Sequence, residues 1–280
     1  MTHSLSFRAL VAATTALLVA GCQGLAFGVA NRGVPPAQAS VVYDRQHDLS
    51  LDLYRPQAGG AASTPVVVFF YGGGWKSGRR DQYRFVGQRL AQQGVLVIVA
   101  DYRTWPRTTF PGFVEDGARV VAWSRAHAAA YGGDPQRLFV AGHSAGAQIA
   151  ALLGTDGRYL AAHGMKPRDL AGVIGLSGPY DFVIEGGYEE VFGERRQWSD
   201  AQPINFVNGD EPAFLLIHGT GDKVVEAKDS QELADRLRTH GSHAELVWLP
   251  GGGHISPLVA LYSPERDPAV LAAIREFVSR

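Results

Sequence analysis

The segment Gly142-His143-Ser144-Ala145-Gly146 sets a serine between two glycines, behind the apolar run 137–141 and ahead of the small and aliphatic run 145–153. A serine on a sharp strand-to-helix turn needs those glycines, because Cβ atoms there would collide with the strand and the helix. Its hydroxyl then projects above the carboxyl end of a sheet. The next backbone N–H, that of Ala145, lies at a helix N-terminus, where developing negative charge is stabilised. Nucleophilic attack on an acyl carbon is the chemistry this arrangement suits. A serine hydroxyl is a weak nucleophile until a base takes its proton and an acid orients that base. Asp222 stands a few residues past the apolar run 213–217, and His254 stands likewise past 244–249. The order serine, acid, histidine, each just beyond a strand, is the one such a turn calls for. Ser144, Asp222 and His254 are therefore the expected nucleophile, orienting acid and base.

Competing acids fit less well. Asp210 and Glu211 precede their strand, Glu226 lies further from a strand end, Asp101 follows an earlier strand, and Asp134 sits in a Gly-Gly-Asp-Pro turn that capping explains. His218 opens the loop before Asp222 and reads as structural, while His143 flanks the nucleophile and is expected to point elsewhere. The other histidines (His3, His47, His127, His163, His240 and His243) show no ligand spacing of the His-Glu-x-x-His kind. The single cysteine excludes a Cys-x-x-Cys site, so neither metal nor cofactor is expected. A second oxyanion donor has to come from a loop that lets a backbone N–H approach closely. Tyr71-Gly72-Gly73-Gly74-Trp75 is suited to that, and it lacks the Gly-Lys-Ser/Thr ending of a phosphate-cradling loop.

Positioning these residues requires alternating strands and helices. Residues 41–43 and 49–54 read as an opening hairpin. The runs 65–71, 95–100, 137–141, 172–176, 213–217 and 244–249 read as strands, several of them apolar on both faces. Helical spacing covers 81–93, 113–131, 145–153, 230–239 and 268–278, whereas 180–210 has no clean period and reads as a lid or an irregular helical excursion. The alternation predicts an α/β fold: one doubly wound, mostly parallel sheet of about eight strands in a single domain.

Composition narrows the class of partner. Lys+Arg 26 against Asp+Glu 27 leaves a net charge of -1, and no basic stretch is longer than a pair such as Arg79-Arg80, which argues against nucleic acid. Nothing in the sequence sets the oligomeric state. Residues 9–20 form a short apolar run after Arg8, too short to span a bilayer and suited to a signal peptide. Val19-Ala20-Gly21-Cys22 resembles a bacterial lipobox, which would place an acylated Cys22 at the mature N-terminus and hold an exported protein at a membrane of the cell envelope by lipid alone. The division expected is a signal peptide over 1–21, a tether over 22–39 and a catalytic domain over 40–280.

With these residues in view, the chain resembles the α/β-hydrolase carboxylesterases of the His-Gly-Gly-Gly type, the hormone-sensitive-lipase-like group. It is most similar to the branch that holds isoprenylcysteine methylesterases, kynurenine formamidases and some acetyl or feruloyl esterases. The likeness spans about residues 41–279 and includes Asp101-Tyr-Arg103, Gly133-Asp-Pro135, Ser177-Gly-Pro-Tyr-Asp181 and His218 to Asp222. It implies a small-molecule ester as substrate and oxyanion N–H groups on Gly73 and Gly74 beside that of Ala145. Trp75, Tyr102, Trp105, Tyr180 and Phe182 become candidate pocket walls. Tyr71 departs from the family's histidine and bears on the geometry of the loop. Absence of a large lid insertion favours short acyl groups. An amidase or formamidase would use the same triad, and a non-catalytic binding protein on the same scaffold is the alternative of another class.

Overall fold

A computed structural model describes residues 26–56 and 64–280. Its strands are β1 (Ala39–Asp44), β2 (Leu49–Tyr54), β3 (Val66–Phe70), β4 (Leu96–Ala100), β5 (Leu138–His143), β6 (Gly172–Leu176), β7 (Phe214–Gly219) and β8 (Ala244–Leu249). They form one sheet in the order β1-β2-β4-β3-β5-β6-β7-β8. β2 pairs antiparallel with β1 and with β4, and every other pairing is parallel. Every residue of β3, β4, β5, β6 and β7 is buried, as a sheet covered by helices on both faces requires. β2 is buried apart from Ser50, although it carries an acid. Asp52 is enclosed, and its carboxylate accepts from Arg80 Nε at 3.0 Å and from Ser40 Oγ at 2.5 Å.

The covering helices are α1 (Arg84–Ala91), α2 (Gly112–His127), α3 (Ala145–Thr155), α4 (Gly157–Ala161), α5 (Glu189–Phe192), α6 (Lys228–Thr239), α7 (Ser256–Tyr262) and α8 (Pro268–Ser279). All residues of α3 are buried. Its small side chains permit this, since a Cβ on Gly154 would stand 2.5 Å from Val173 Cγ2 of β6. The helix expected over 81–93 begins as a 3-10 turn, Arg80–Tyr83, before α1, and the one over 113–131 ends in a 3-10 turn, Ala128–Tyr131. α7 carries a signal that periodicity did not reveal: a Ser-Pro pair in its first turn, where proline's missing N–H is no loss.

Of the expected tether over 22–39, residues 26–39 are described. Residues 26–30 are helical, and the Phe27 ring lies 5.0 Å from that of Tyr83. Asn31 Nδ2 donates to Gln82 O at 2.8 Å, and Phe85 N donates to Asn31 Oδ1 at 2.9 Å. An aromatic ring and a bidentate amide thus dock this stretch against the domain. The signal peptide and Cys22 lie outside the described residues. Among those described, no helix is long and apolar enough to cross a membrane.

Candidate active site

Ser144 joins β5 to α3 with φ 53° and ψ -121°, a conformation that side-chain-bearing residues rarely adopt. The elbow is as tight as the motif implies. A Cβ on Gly142 would stand 2.2 Å from Gly146 O, and one on Gly146 would stand 2.1 Å from Phe70 O of β3. β7 and β8 deliver the other two residues. His254 Nε2 lies 2.9 Å from Ser144 Oγ, and His254 Nδ1 lies 2.8 Å from Asp222 Oδ2. Asp222 Oδ1 accepts the N–H groups of Val224 and Val225 at 2.8 and 3.0 Å. Burial pushes the Asp222 carboxyl up, but the hydrogen bonds from His254 and the two amides outweigh it and hold the group below the usual carboxylate range. An ionised carboxylate only accepts, so His254 carries its proton on Nδ1 and turns the Nε2 lone pair to the Ser144 hydroxyl.

Two further histidines touch this chain, and the sequence pointed to neither contact. His143 does not point away: its ring centroid is 4.9 Å from that of His254, and its Nε2–H donates to His254 O at 3.0 Å. Burial, followed by the neighbouring His254, pushes the pKa of His143 down to about 3, so it is neutral at any working pH. His218 reaches Asp222 itself, with Nε2 3.1 Å from Oδ2. The competing acids are engaged elsewhere: Asp101 by Arg80, Glu211 by Ser242 Oγ and the amides of Asn208 and Gly209, Asp210 by Arg168, Glu226 by Lys228, and Asp134 by the Gln136 amide.

The glycine loop passes beside the elbow, where a Cβ on Gly72 would lie 3.2 Å from Ser144 Cβ. Gly73 (φ 136°) and Gly74 (φ 60°) take backbone conformations natural to glycine, and Trp75 (φ 56°) is forced into one. Three tyrosines brace the loop. Gly72 N–H donates to Tyr83 Oη at 3.2 Å, Tyr102 Oη donates to Tyr71 O at 2.8 Å, and the Tyr71 and Tyr102 rings stack with centroids 4.5 Å apart. Tyr71 is a buried, neutral phenol. Among the described residues, no protein acceptor takes the N–H groups of Gly73, Gly74 or Ala145.

Trp75 ties the loop to the nucleophile helix. Its Nε1–H donates to Gln148 Oε1 at 3.1 Å, and Gln148 Nε2 donates to Ala201 O at 2.8 Å. The Trp75 ring stacks on Phe182 at 5.5 Å and meets Phe192 and Tyr188 edge-on at 4.8 and 5.6 Å. Trp105 N donates to Trp75 O at 2.8 Å, while Lys76 Nζ lies 5.2 Å from the Trp105 ring. Trp75, Trp105 and Phe182 therefore gather at the loop. Tyr102 is buried with its hydroxyl on Tyr71 O, and Tyr180 is buried against Gly175, whose Cβ would overlap its hydroxyl at 1.9 Å. Gln148 had one legible sign, as the single polar residue between Ala145 and Gly154. Tyr83 and Tyr188 had none.

Among the described residues, Asp44, His47 and Asp116 come together as possible metal ligands. Arg119 bridges both carboxylates, and Arg103 takes Asp116 through its backbone N–H and Nη2 at 2.8 Å each. Positive charge already occupies the place a cation would take. The set also lies apart from the triad.

A Ser-His-Asp chain beyond the carboxyl ends of β5, β7 and β8, on this sheet order, defines an α/β-hydrolase. The BD-FAE family model matches residues 51–237, and the chain belongs to that family. It is 32% identical over 240 residues to a probable isoprenylcysteine alpha-carbonyl methylesterase of Oryza sativa subsp. japonica, covering 77% of this chain and 56% of that protein. An esterase of Mycobacterium tuberculosis is 33% identical over 236 residues, covering 76% and 58%. The chain thus spans little more than half the length of these curated relatives. The solved apo form of Thermogutta terrifontis esterase 2 matches with a TM-score of 0.75 at 26% identity, covering 88% of this chain and 95% of that one.

Proposed function

We propose that the protein is a carboxylesterase that cleaves esters through an acyl-enzyme on Ser144. The observation that carries the reading is the unbroken chain of contacts from Ser144 Oγ through His254 to Asp222, at 2.9 and 2.8 Å. His254 Nε2 takes the Ser144 proton as Oγ attacks the carbonyl carbon, and Asp222 stabilises the imidazolium that forms. The amides of Gly73, Gly74 and Ala145 receive the oxyanion; each such donor is typically worth about 10²–10³ in rate. His254 then protonates the departing alcohol. Water repeats the sequence on the acyl-enzyme and frees Ser144. In Ser144→Ala, hydrolysis of p-nitrophenyl acetate is expected to vanish while thermal unfolding is unchanged, and a fluorophosphonate probe is expected to label the parent protein only. Unaltered turnover in that variant overturns the assignment.

Short acyl groups are the proposed substrate range. The structure of the Thermogutta terrifontis esterase, whose fold this chain shares, exists with propionate bound and with butyrate bound. Trp75, Phe182, Phe192 and Tyr188 fill the space beside the loop with rings packed on each other. Activity over a series of p-nitrophenyl esters is expected to peak at short chains. A steady rise beyond about eight carbons, long enough to need a continuous apolar channel, contradicts this.

A lipid anchor at Cys22 is proposed from residues 9–22 alone. Mass spectrometry of the mature N-terminus is expected to find an acylated cysteine, and an intact Met1 or a bare Cys22 removes the proposal.

A further inference from the structure

We infer that His218 is a positioning residue of the triad, a second histidine that shares the Asp222 carboxylate and so sets how strongly Asp222 acts on His254. The inference rests on the esterase reading above. His218 Nε2 lies 3.1 Å from Asp222 Oδ2, the same oxygen that His254 Nδ1 reaches at 2.8 Å. It also lies 3.3 Å from the carbonyl oxygen of Val225. Both partners of Nε2 are acceptors, so Nε2 carries the proton and donates. Nδ1 is then an acceptor, and Ser230 Oγ, 2.7 Å away, donates to it. Ser230 is fully buried in α6, and so is His218 at the end of β7. The route runs from Ser230 through His218, Asp222 and His254 to Ser144 without a gap.

The neighbourhood leaves His218 neutral. Burial pushes its pKa below the ordinary histidine value, against the opposing pull of Asp222. The groups facing this network are Asp222, His254 and His143, with the Trp248 ring of β8 6.4 Å from the His218 ring. Asp222 therefore accepts four hydrogen bonds: two from backbone amides on Oδ1 and two from imidazoles on Oδ2. A neutral donor on Oδ2 draws carboxylate charge away from His254. That weakens the hold on the imidazolium and fixes the carboxylate in the plane His254 needs.

The test uses His218→Met, which removes the donor at similar volume, and His218→Gln, whose amide can still donate to Oδ2. In the Met variant kcat is expected to fall about tenfold, because the Asp222 carboxylate is no longer fixed in the plane His254 needs, with KM nearly unchanged. The acid limb of the kcat/KM profile is expected to move to higher pH, because an undivided Asp222 charge favours protonated His254. The Gln variant is expected to restore both. Ser230→Ala, which leaves His218 in place, is expected to act in the same direction more weakly. An acid limb that stays put, or activity that falls only with the folded fraction in all three variants, reduces His218 to packing and overturns the inference. The proton on His254 Nδ1 gives a readout independent of turnover through its far-downfield NMR resonance. If the parent protein cleaves no ester while that resonance still moves in His218→Met, the esterase reading fails and the link stands. A resonance indifferent to His218 refutes the link whatever the activity.

Discussion

Ser144 is kept at a positive φ by neighbours that give up their side chains, and its two partners arrive on separate strands 78 and 110 residues further along. That much was legible, because a nucleophile elbow has a local signature and the partners follow apolar runs in a fixed order. His143 was not legible. Its role depends on a contact 111 residues away with a backbone oxygen, which leaves no pattern in either segment. The same holds for Tyr83, whose hydroxyl meets the loop only because the chain turns back beneath it. His143→Leu deprives His254 O of its donor and frees the loop that presents the base. The expected outcome is about a tenfold loss of kcat, from one lost hydrogen bond at a site where geometry controls rate, with thermal unfolding measured alongside to separate it from a loss of fold.

The stretch 180–210 gave no periodic signal, and the structure shows why. It is built from the single turn of α5 and two 3-10 segments, Arg195–Ala201 and Pro203–Phe206, held by tertiary contacts in place of a helix face. Gln148 holds Ala201 O, Phe110 N donates to Val191 O, and Asp229 of α6 accepts the amides of Tyr180 and Asp181 at 2.9 and 3.3 Å. These contacts pin it over the aromatic cluster. Burial pushes the Asp229 carboxyl up to about 6 from 3.8, against those two amides. A carboxyl whose folded-state pKa is raised adds stability that is complete below about pH 4 and is lost as the pH climbs through 6. Asp229→Asn keeps an acceptor oxygen without the buried charge. It is expected to match the parent near pH 4 and to exceed it above pH 7 by about 3 kcal/mol, the equivalent of a two-unit shift. Denaturant unfolding at the two pH values reads the difference, and equal gaps at both contradict it.

At the scale of the whole molecule, the parallel centre was readable from apolar strands alternating with amphipathic helices, while the strand order was not. β3 and β4 are both continuous apolar runs, and nothing local says that β4 lies between β2 and β3. The docking of the amino-terminal segment was not legible for a related reason. Small residues and a Pro-Pro pair suit a loose connection, yet Phe27 and Asn31 clamp it to the turn before α1 and to α1 itself. For the proposed anchor, that clamp would shorten the leash. Phe27 stands five positions after Cys22, and an extended chain spans at most about 3.6 Å per residue, so an acylated Cys22 would have roughly 18 Å of slack, where freedom as far as Ala39 would have given roughly 60 Å. A protein held in that way could not roam. It would sweep the headgroup layer and the water immediately above it, with the side bearing Tyr83 held nearest the bilayer.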